Sequence, residues 1–193
     1  MPKIIGVDLD DVLFACNEAL CVWHNLNYGT SYAKEDVVSY ELKYVWGCTE
    51  TEAIARVRQF LDSFEHSNAL TVQGAVEGLR VLGEENCHIV TARAQMFSGP
   101  TTQWLERHFP KMANRVHFVG SEYGFIHHEE IKPATCKRLG IDVFIDDSLV
   151  HASGVSKAGI PVLLLDNPWN QTDKLSLNVE RVYSWDEIVE RLR

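Results

Sequence analysis

Short apolar runs of strand length recur along the chain at residues 4–7, 88–91, 116–119, 143–145 and 162–165. Between most of them the apolar residues return every three or four positions, as in GAVEGLRVLGEE, TTQWLERHF, KPATCKRLG and LVHASGVSKAG. The first pattern suits strands buried on both faces, the second amphipathic helices. In the last two helical stretches a Gly stands just before the next strand, where a helix can end in a left-handed turn. RVYSWDEIVERLR reads as a final short strand and a terminal helix. Parallel strands need a crossover between them, usually a helix, so the alternation predicts an α/β fold: a parallel sheet with helices on both faces.

One region departs from that rhythm. Residues 16–70, directly after the first strand, are helix-like and rich in Trp and Tyr: EALCVWHNLNYG, KEDVVSYELKYVWG and TETEAIARVRQFLDSF. Thr49 followed by Glu52 is a capping-box pattern opening the last of these. Connections inside α/β units are ordinarily far shorter. The stretch is therefore expected to form a small helical cap, 16–70, inserted into a core made of 1–15 and 71–193.

With 193 residues, 46% of them hydrophobic, the chain can bury one substantial core and carry such an elaboration. A net charge of −9, without any basic run interleaved with aromatics, speaks against a nucleic-acid polymer as partner. Cys16, Cys21, Cys48, Cys87 and Cys136 include no CxxC pair, which predicts reduced, packed thiols rather than disulfides or a zinc knuckle. Only Lys3 precedes the first short apolar run, a start that fits neither a signal peptide nor a membrane span. A cytoplasmic protein with no membrane partner is expected.

The first strand, in IIGVDLDDVLF, ends in Asp8, Asp10 and Asp11. Ligands of open α/β sheets bind beyond the carboxyl ends of the strands, so residues just after each strand are the candidates. They are Asp8, Asp10 and Asp11 after the first strand, Thr91 and Arg93 after the second, and Asp146, Asp147 and Ser148 after the fourth, with Lys132 opening the helix that leads to the fourth. So many carboxylates at one edge repel and raise one another's pKa unless a cation sits among them. A hard divalent cation with oxygen ligands resolves that conflict, and Mg2+ also favours phosphate oxygens. One carboxylate can then attack a phosphoryl group, and a second can hand a proton to the leaving alkoxide and take one from water. A Thr hydroxyl and a Lys ammonium suit the phosphoryl oxygens.

Taken in order, Asp8-Leu9-Asp10-Asp11-Val12 after a hydrophobic strand, a second strand ending in Thr91, then Lys132, then the strand-end pair Asp146-Asp147 resemble the four motifs of the haloacid dehalogenase (HAD) superfamily. The resemblance spans essentially the whole core. It implies a Rossmann-like sheet and a Mg2+-dependent phosphomonoester hydrolase that acts on a small phosphorylated substrate through an aspartyl-phosphate. It implies Asp8 as nucleophile and Asp10 as general acid/base whose backbone carbonyl also reaches Mg2+. Thr91, Ala92 and Lys132 would hold the phosphate, and Asp8, Asp10 and Asp146 the metal. Asp11, Arg93 and Asp147 would support the site or meet substrate, Asp147 through a metal-bound water. The insert is similar in position to the helical caps of small phosphatases, and the DDS ending resembles that of 5′(3′)-deoxyribonucleotidase-like members. Nucleotides, sugar phosphates and isoprenoid phosphates all stand as substrate classes.

Several residues admit a second reading. Many relatives carry Gly where Asp11 stands, and Asp11 is either a partner of the site or a solvated turn carboxylate. Lys137 also precedes the fourth strand, but Lys132 lies nearer the ligand edge. Arg93 either meets a substrate anion or pairs with Asp147 or a residue of the insert. His127-His128 has no further ligand at metal spacing nearby and is expected in an exposed loop. Trp23, Tyr28, Tyr40, Tyr44 and Trp46 are expected to pack the insert's own core and, collectively, to offer a pocket wall. Pro168-Trp169-Asn170-Gln171, after the fifth strand, either borders the site or, as the safer reading, is a loop packed by its Trp. Two other function classes fit less well. A metal-free dehalogenase does not need Asp10, and a non-catalytic phosphoacceptor module of the receiver type carries its phosphorylated Asp on a middle strand.

Overall fold

The computed structural model describes residues 3–120, 131–172 and 174–193. The pair His127-His128 falls outside the described residues. Among the described residues, six strands form one parallel sheet: β1 (Ile5–Val7), β2 (Cys87–Ala94), β3 (Val116–Gly120), β4 (Val143–Asp146), β5 (Val162–Leu165) and β6 (Val179–Val182), in the order β3-β2-β1-β4-β5-β6. The fold is α/β and Rossmann-like. β1 lies between β2 and β4, with Val7 in register with Ile89 on one side and Ile145 on the other. Flanked on both edges and covered on both faces, all three of its residues are buried. Gly6 is the residue that lets β4 approach, because a Cβ there would sit 2.4 Å from the Phe144 ring.

The period-two geometry of the strands divides the core into two layers. Ile89, Ile145, Leu163 and Leu165 point into one layer, with Leu79 of α5 (Ala75–Leu82), Trp104 and Leu105 of α6 (Ser98–His108), and Trp185 and Ile188 of α9 (Trp185–Leu192). Val90, Phe144, Val162 and Leu164 point into the other, with Cys136 of α7 (Ile131–Leu139) and Val155 of α8 (Leu149–Lys157). Each large apolar side chain buried this way contributes about 1.5–3 kcal/mol, which makes the sheet the rigid part of the molecule.

Four helices lie between β1 and α5: α1 (Cys16–Tyr28), α2 (Leu42–Trp46), α3 (Glu50–Leu61) and α4 (Phe64–Ser67). The first three pack around Leu20, Trp23 and Phe60, and α4 sets His66 edge-on against Phe60. Thr49 caps α3 as its sequence suggests, accepting from the Glu52 amide at 3.3 Å while Glu52 accepts from the Thr49 amide at 2.8 Å. KEDVVSYELKYVWG is not the continuous helix its composition suggests. It forms a short turn at Lys34–Asp36, a non-helical passage over residues 37–41, and then α2. Burial explains the break: Val37 is drawn into a cluster with Cys21 and Trp169, the latter from the loop after β5. Where the chain leaves and re-enters the core, the Ala15 amide donates to the Leu70 carbonyl at 2.9 Å and the Val72 amide to the Leu13 carbonyl at 2.8 Å. The five cysteines are free thiols. Among the described residues, no helix is long and apolar enough to cross a membrane.

Candidate active site

Because β2, β1 and β4 are parallel neighbours, their carboxyl ends bring Asp8, Asp10, Thr91, Arg93, Asp146 and Asp147 to one edge of the sheet. The Asp8 amide extends the sheet ladder by donating to the Ile145 carbonyl at 2.8 Å, which fixes its side chain beside that of Asp146. Lys132 enters from the first turn of α7. Its Nζ donates to Asp8 Oδ1 at 2.6 Å and to Asp146 Oδ2 at 2.9 Å, and lies 3.3 Å from His151 Nδ1. Lys132 is buried, whereas Lys137 is exposed at the far end of the same helix. Asp146 Oδ1 accepts from the Ser148 amide at 2.9 Å, a turn that starts α8.

One carboxylate oxygen from each of Asp8, Asp146 and Asp147 lies within 4.8 Å of the others, and all three residues are buried. Burial pushes the Asp8 carboxyl up to about 7 in spite of Lys132. Burial, then the charges of Asp146, Asp8 and Asp11, push Asp147 well above the carboxylate range. For Lys132 burial disfavours the charge, but Asp146 and Asp8 outweigh it and hold its pKa above the ordinary lysine value. Asp8 and Asp146 thus share one ammonium, and the third buried carboxylate, Asp147, lies beside them. An all-oxygen, anionic, buried donor set of this kind fits a hard divalent cation.

Asp10, two residues from Asp8, has different company. Its carboxylate accepts from Arg93 Nε at 3.0 Å and Nη2 at 2.7 Å, and Arg93 Nη1 donates to Thr101 at 2.9 Å. The guanidinium lies over the Phe14 ring at 4.4 Å. Burial alone would raise the Asp10 pKa, but Arg93 outweighs it and holds the carboxyl below its ordinary value. Arg93 therefore pairs with Asp10, not with Asp147 or a residue of the insert. Thr91 is fully buried and its hydroxyl accepts from the Arg93 amide at 3.1 Å. Ala92, between them, is exposed at a break in the β2–β3 register.

Asp11 is buried rather than solvated and sits at φ 54°. That left-handed conformation is one glycine adopts freely and Asp tolerates. Its carboxylate accepts from the Asn17 amide at 3.0 Å and Asn17 Nδ2 at 2.7 Å, so Asp11 anchors the first turn of α1. Burial lifts it to about 7 against those bonds.

Some residues at this edge are marked in the sequence only as aromatics or as a loop, without any sign of what they hold. The Tyr40 hydroxyl reaches the Asp147 backbone carbonyl at 2.6 Å and Oδ2 at 2.9 Å, Trp169 Nε1 donates to the same Oδ2 at 2.7 Å, and Asn170 Nδ2 donates to the Asp147 carbonyl at 2.8 Å. The DDS motif marks Asp147, but nothing local marks partners 107 and 22 residues away. The other insert aromatics lie differently. Trp46 and Tyr28 stack on His24 at 4.5 and 4.7 Å with Arg56 against them, Trp23 is buried, and Tyr44 is exposed. His66 of α4 is wedged between Phe14 and Phe60 at 5.0 and 5.2 Å, and neither of its ring nitrogens has a hydrogen-bond partner among the described residues.

A family model described as "5' nucleotidase, deoxy (Pyrimidine), cytosolic type C protein" (NT5C) matches residues 2–192. A protein of Bacillus subtilis (strain 168) named as a candidate nucleotidase, YqfW, is 29% identical over 188 residues, covering 96% of this chain and 91% of its own. Among solved structures, a HAD family hydrolase from Deinococcus radiodurans R1 with bound phosphate and sodium superposes with a TM-score of 0.67 at 15% identity, covering 97% of this chain and 93% of the other. A haloacid dehalogenase-like family hydrolase from Streptococcus pneumoniae gives 0.68 at 13% identity, covering 98% and 97%. At such identities the structural likeness speaks for the fold, and the match over the full length speaks for the family.

Proposed function

We infer a Mg2+-dependent nucleotidase reaction from one premise: the chain belongs to the 5' nucleotidase, deoxy (pyrimidine), cytosolic type C family. It is a HAD-type phosphatase, and the substrate class that follows is a 5′-phosphate of a nucleoside, deoxypyrimidine nucleotides foremost. The observation that carries the reading is the buried group of Asp8, Asp146 and Asp147, in which one ammonium serves Asp8 and Asp146, with Asp10 held apart by its own arginine.

In this reading Asp8 is the nucleophile. A carboxylate oxygen attacks phosphorus, the bond from phosphorus to the sugar oxygen breaks, and the leaving alkoxide takes a proton from Asp10. Water then attacks the aspartyl-phosphate, Asp10 accepts its proton, and phosphate leaves. Arg93 keeps Asp10 ionised, which suits the second step; the first needs a looser Arg93 contact. Lys132 and Thr91, with Ala92, receive the phosphoryl oxygens. Held by Asp8, Asp146, Asp147 and the backbone carbonyl of Asp10, Mg2+ would offset the charge that keeps a phosphate dianion from a carboxylate. Residues 16–70 act as the cap, carrying Tyr40 to the strand ends and excluding water from the reacting group.

The test is a phosphate-release screen across 5′- and 3′-nucleotides of both sugars, sugar phosphates and prenyl phosphates, with Mg2+ or with EDTA. Preference for 5′-deoxypyrimidine nucleotides and loss of turnover in EDTA are expected. A sugar or prenyl phosphate turned over faster than every nucleotide would replace the substrate class, and full activity in EDTA would remove the metal.

A further inference from the structure

Asp147 differs from the other two carboxylates of the acidic group in who holds it. Asp8 and Asp146 are tied to Lys132, a core residue. Asp147 is tied to Tyr40, which belongs to the helical insert, and to Trp169, on the core loop against which the insert packs. Both side-chain hydrogen bonds to the Asp147 carboxylate among the described residues fall on Oδ2, so Oδ1 is the oxygen left for a cation. The Tyr40 hydroxyl proton lies between two acceptors of one residue, the Oδ2 and the backbone carbonyl, which fixes the carboxylate's rotation relative to its own backbone.

The segment that delivers Tyr40 is held by packing rather than by helix. Val37 is buried against Trp169, the Tyr40 ring meets the Trp169 ring edge-on at 6.0 Å, and Lys34 lies over that indole at 5.6 Å. Trp169 therefore serves both sides of the seam: its face and edge receive the insert while its N–H holds Asp147. Any shift of the insert away from this loop pulls the hydroxyl off Asp147, and any rotation of Asp147 breaks the contact that seats residues 37–41.

We propose that Tyr40 is a positioning residue for Asp147, and that it makes the seating of the helical insert and the binding of the divalent cation one coupled event. The proposal rests on the metal-dependent reading above. A carboxylate oriented in advance binds a cation more tightly, because bonds to a ligand's far oxygen fix its direction and basicity; loss of such a partner typically weakens metal affinity about 10–100-fold. By linkage, cation binding must tighten the insert to the same degree that the seated insert tightens cation binding.

Mn2+ binding without substrate, followed by electron paramagnetic resonance, is measured for the wild type, Tyr40→Phe and Tyr44→Phe, together with hydrogen exchange over residues 37–41. Tyr40→Phe keeps the ring that packs on Trp169 and removes only the hydroxyl, while Tyr44 is exposed and serves as the control. Tyr40→Phe should bind Mn2+ about 10-fold more weakly, the control as the wild type does. Turnover of Tyr40→Phe should recover at saturating Mg2+, which a merely structural loss would not allow. Mn2+ should slow exchange at residues 37–41 in the wild type and not in Tyr40→Phe. Wild-type affinity in Tyr40→Phe, or exchange in the wild type that ignores Mn2+, overturns this inference alone. Failure of the wild type to bind Mn2+ overturns the metal-dependent reading and this inference with it.

Discussion

Asp8 and Asp10 lie two residues apart at the end of one strand, yet they sit in opposite electrostatic surroundings. Asp10 has a guanidinium to itself, gripped at two nitrogens, and its carboxyl is held below its ordinary value. Asp8 shares one ammonium with Asp146 inside a buried group that also includes Asp147, and burial lifts it to about 7. The lesson is that the same side chain at nearly the same place is assigned its chemistry by its cation. In the proposed reaction a carboxylate gripped like Asp10 carries a proton only once its arginine loosens, whereas a group short of positive charge suits a metal and the phosphate it pairs with.

Breaking the contrast at Asp8 should have the largest effect. Asp8→Asn keeps the shape but cannot attack phosphorus, so steady-state phosphate release should fall on the order of 10⁴-fold or more while the circular dichroism spectrum is retained. Near wild-type release would remove Asp8 from the nucleophile role. Asp146→Asn leaves the nucleophile and weakens its surroundings. Turnover should drop by more than about 100-fold at low Mg2+ and recover in part as Mg2+ is raised, which a titration of rate against metal reads directly. A loss independent of Mg2+ would place Asp146 outside the metal group.

The other half of the comparison is sharpened at Arg93. Arg93→Lys keeps a positive charge beside Asp10 but loses the two-nitrogen grip. A drop of about 10-fold in kcat/KM is expected for nucleotides, whose poor leaving groups need a proton, and a smaller one for para-nitrophenyl phosphate, measured with matched substrate series. Equal losses for both would assign Arg93 to structure alone.

The smallest effect concerns stability. His66 is buried beside Phe14 and Phe60, and burial, then Arg93, lower its pKa to about 4 from an ordinary 6.5. Below pH 6.5 the unfolded chain takes up the proton while the folded chain stays neutral, so this contribution is fully present above pH 6.5 and is lost as pH falls toward 4. Between pH 7 and pH 5 it amounts to about 2 kcal/mol. The melting temperature of the wild type should fall relative to that of His66→Leu as pH is lowered over that range. Parallel curves would show that His66 takes up its proton in the folded state.

The alternation of apolar blocks and three-to-four-residue periods made the sheet, its helices and the strand ends legible, because each is encoded within a few residues. Val7, Ile89 and Ile145 are neighbours in the sheet, and each stands within a run that announces a strand on its own. Partnerships across the fold are not encoded that way. Arg93 finds Asp10 across 83 residues and Tyr40 finds Asp147 across 107, and no local pattern distinguishes these pairings from the alternatives. The passage 37–41 was obscured by its helix-like surroundings: Val37, Val38, Ser39 and Tyr40 are weak helix formers, and Val37 is buried against Trp169. Asp11 shows the intermediate case, since its left-handed backbone, which glycine adopts freely, is set by the fold around it.

The paired backbone bonds between Leu13–Ala15 and Leu70–Val72 have an evolutionary consequence. Because exit and re-entry are stitched together on the core itself, the ends of the intervening segment are already neighbours whatever lies between them. The entropy of closing that loop grows only with the logarithm of its length, about 0.6 kcal/mol per doubling. A lineage can therefore lengthen, shorten or replace residues 16–69 as one contiguous piece of gene while β1 and Asp8 stay untouched. A replacement module that keeps the proposed coupling to the cation must again offer a hydrogen-bond donor to Asp147.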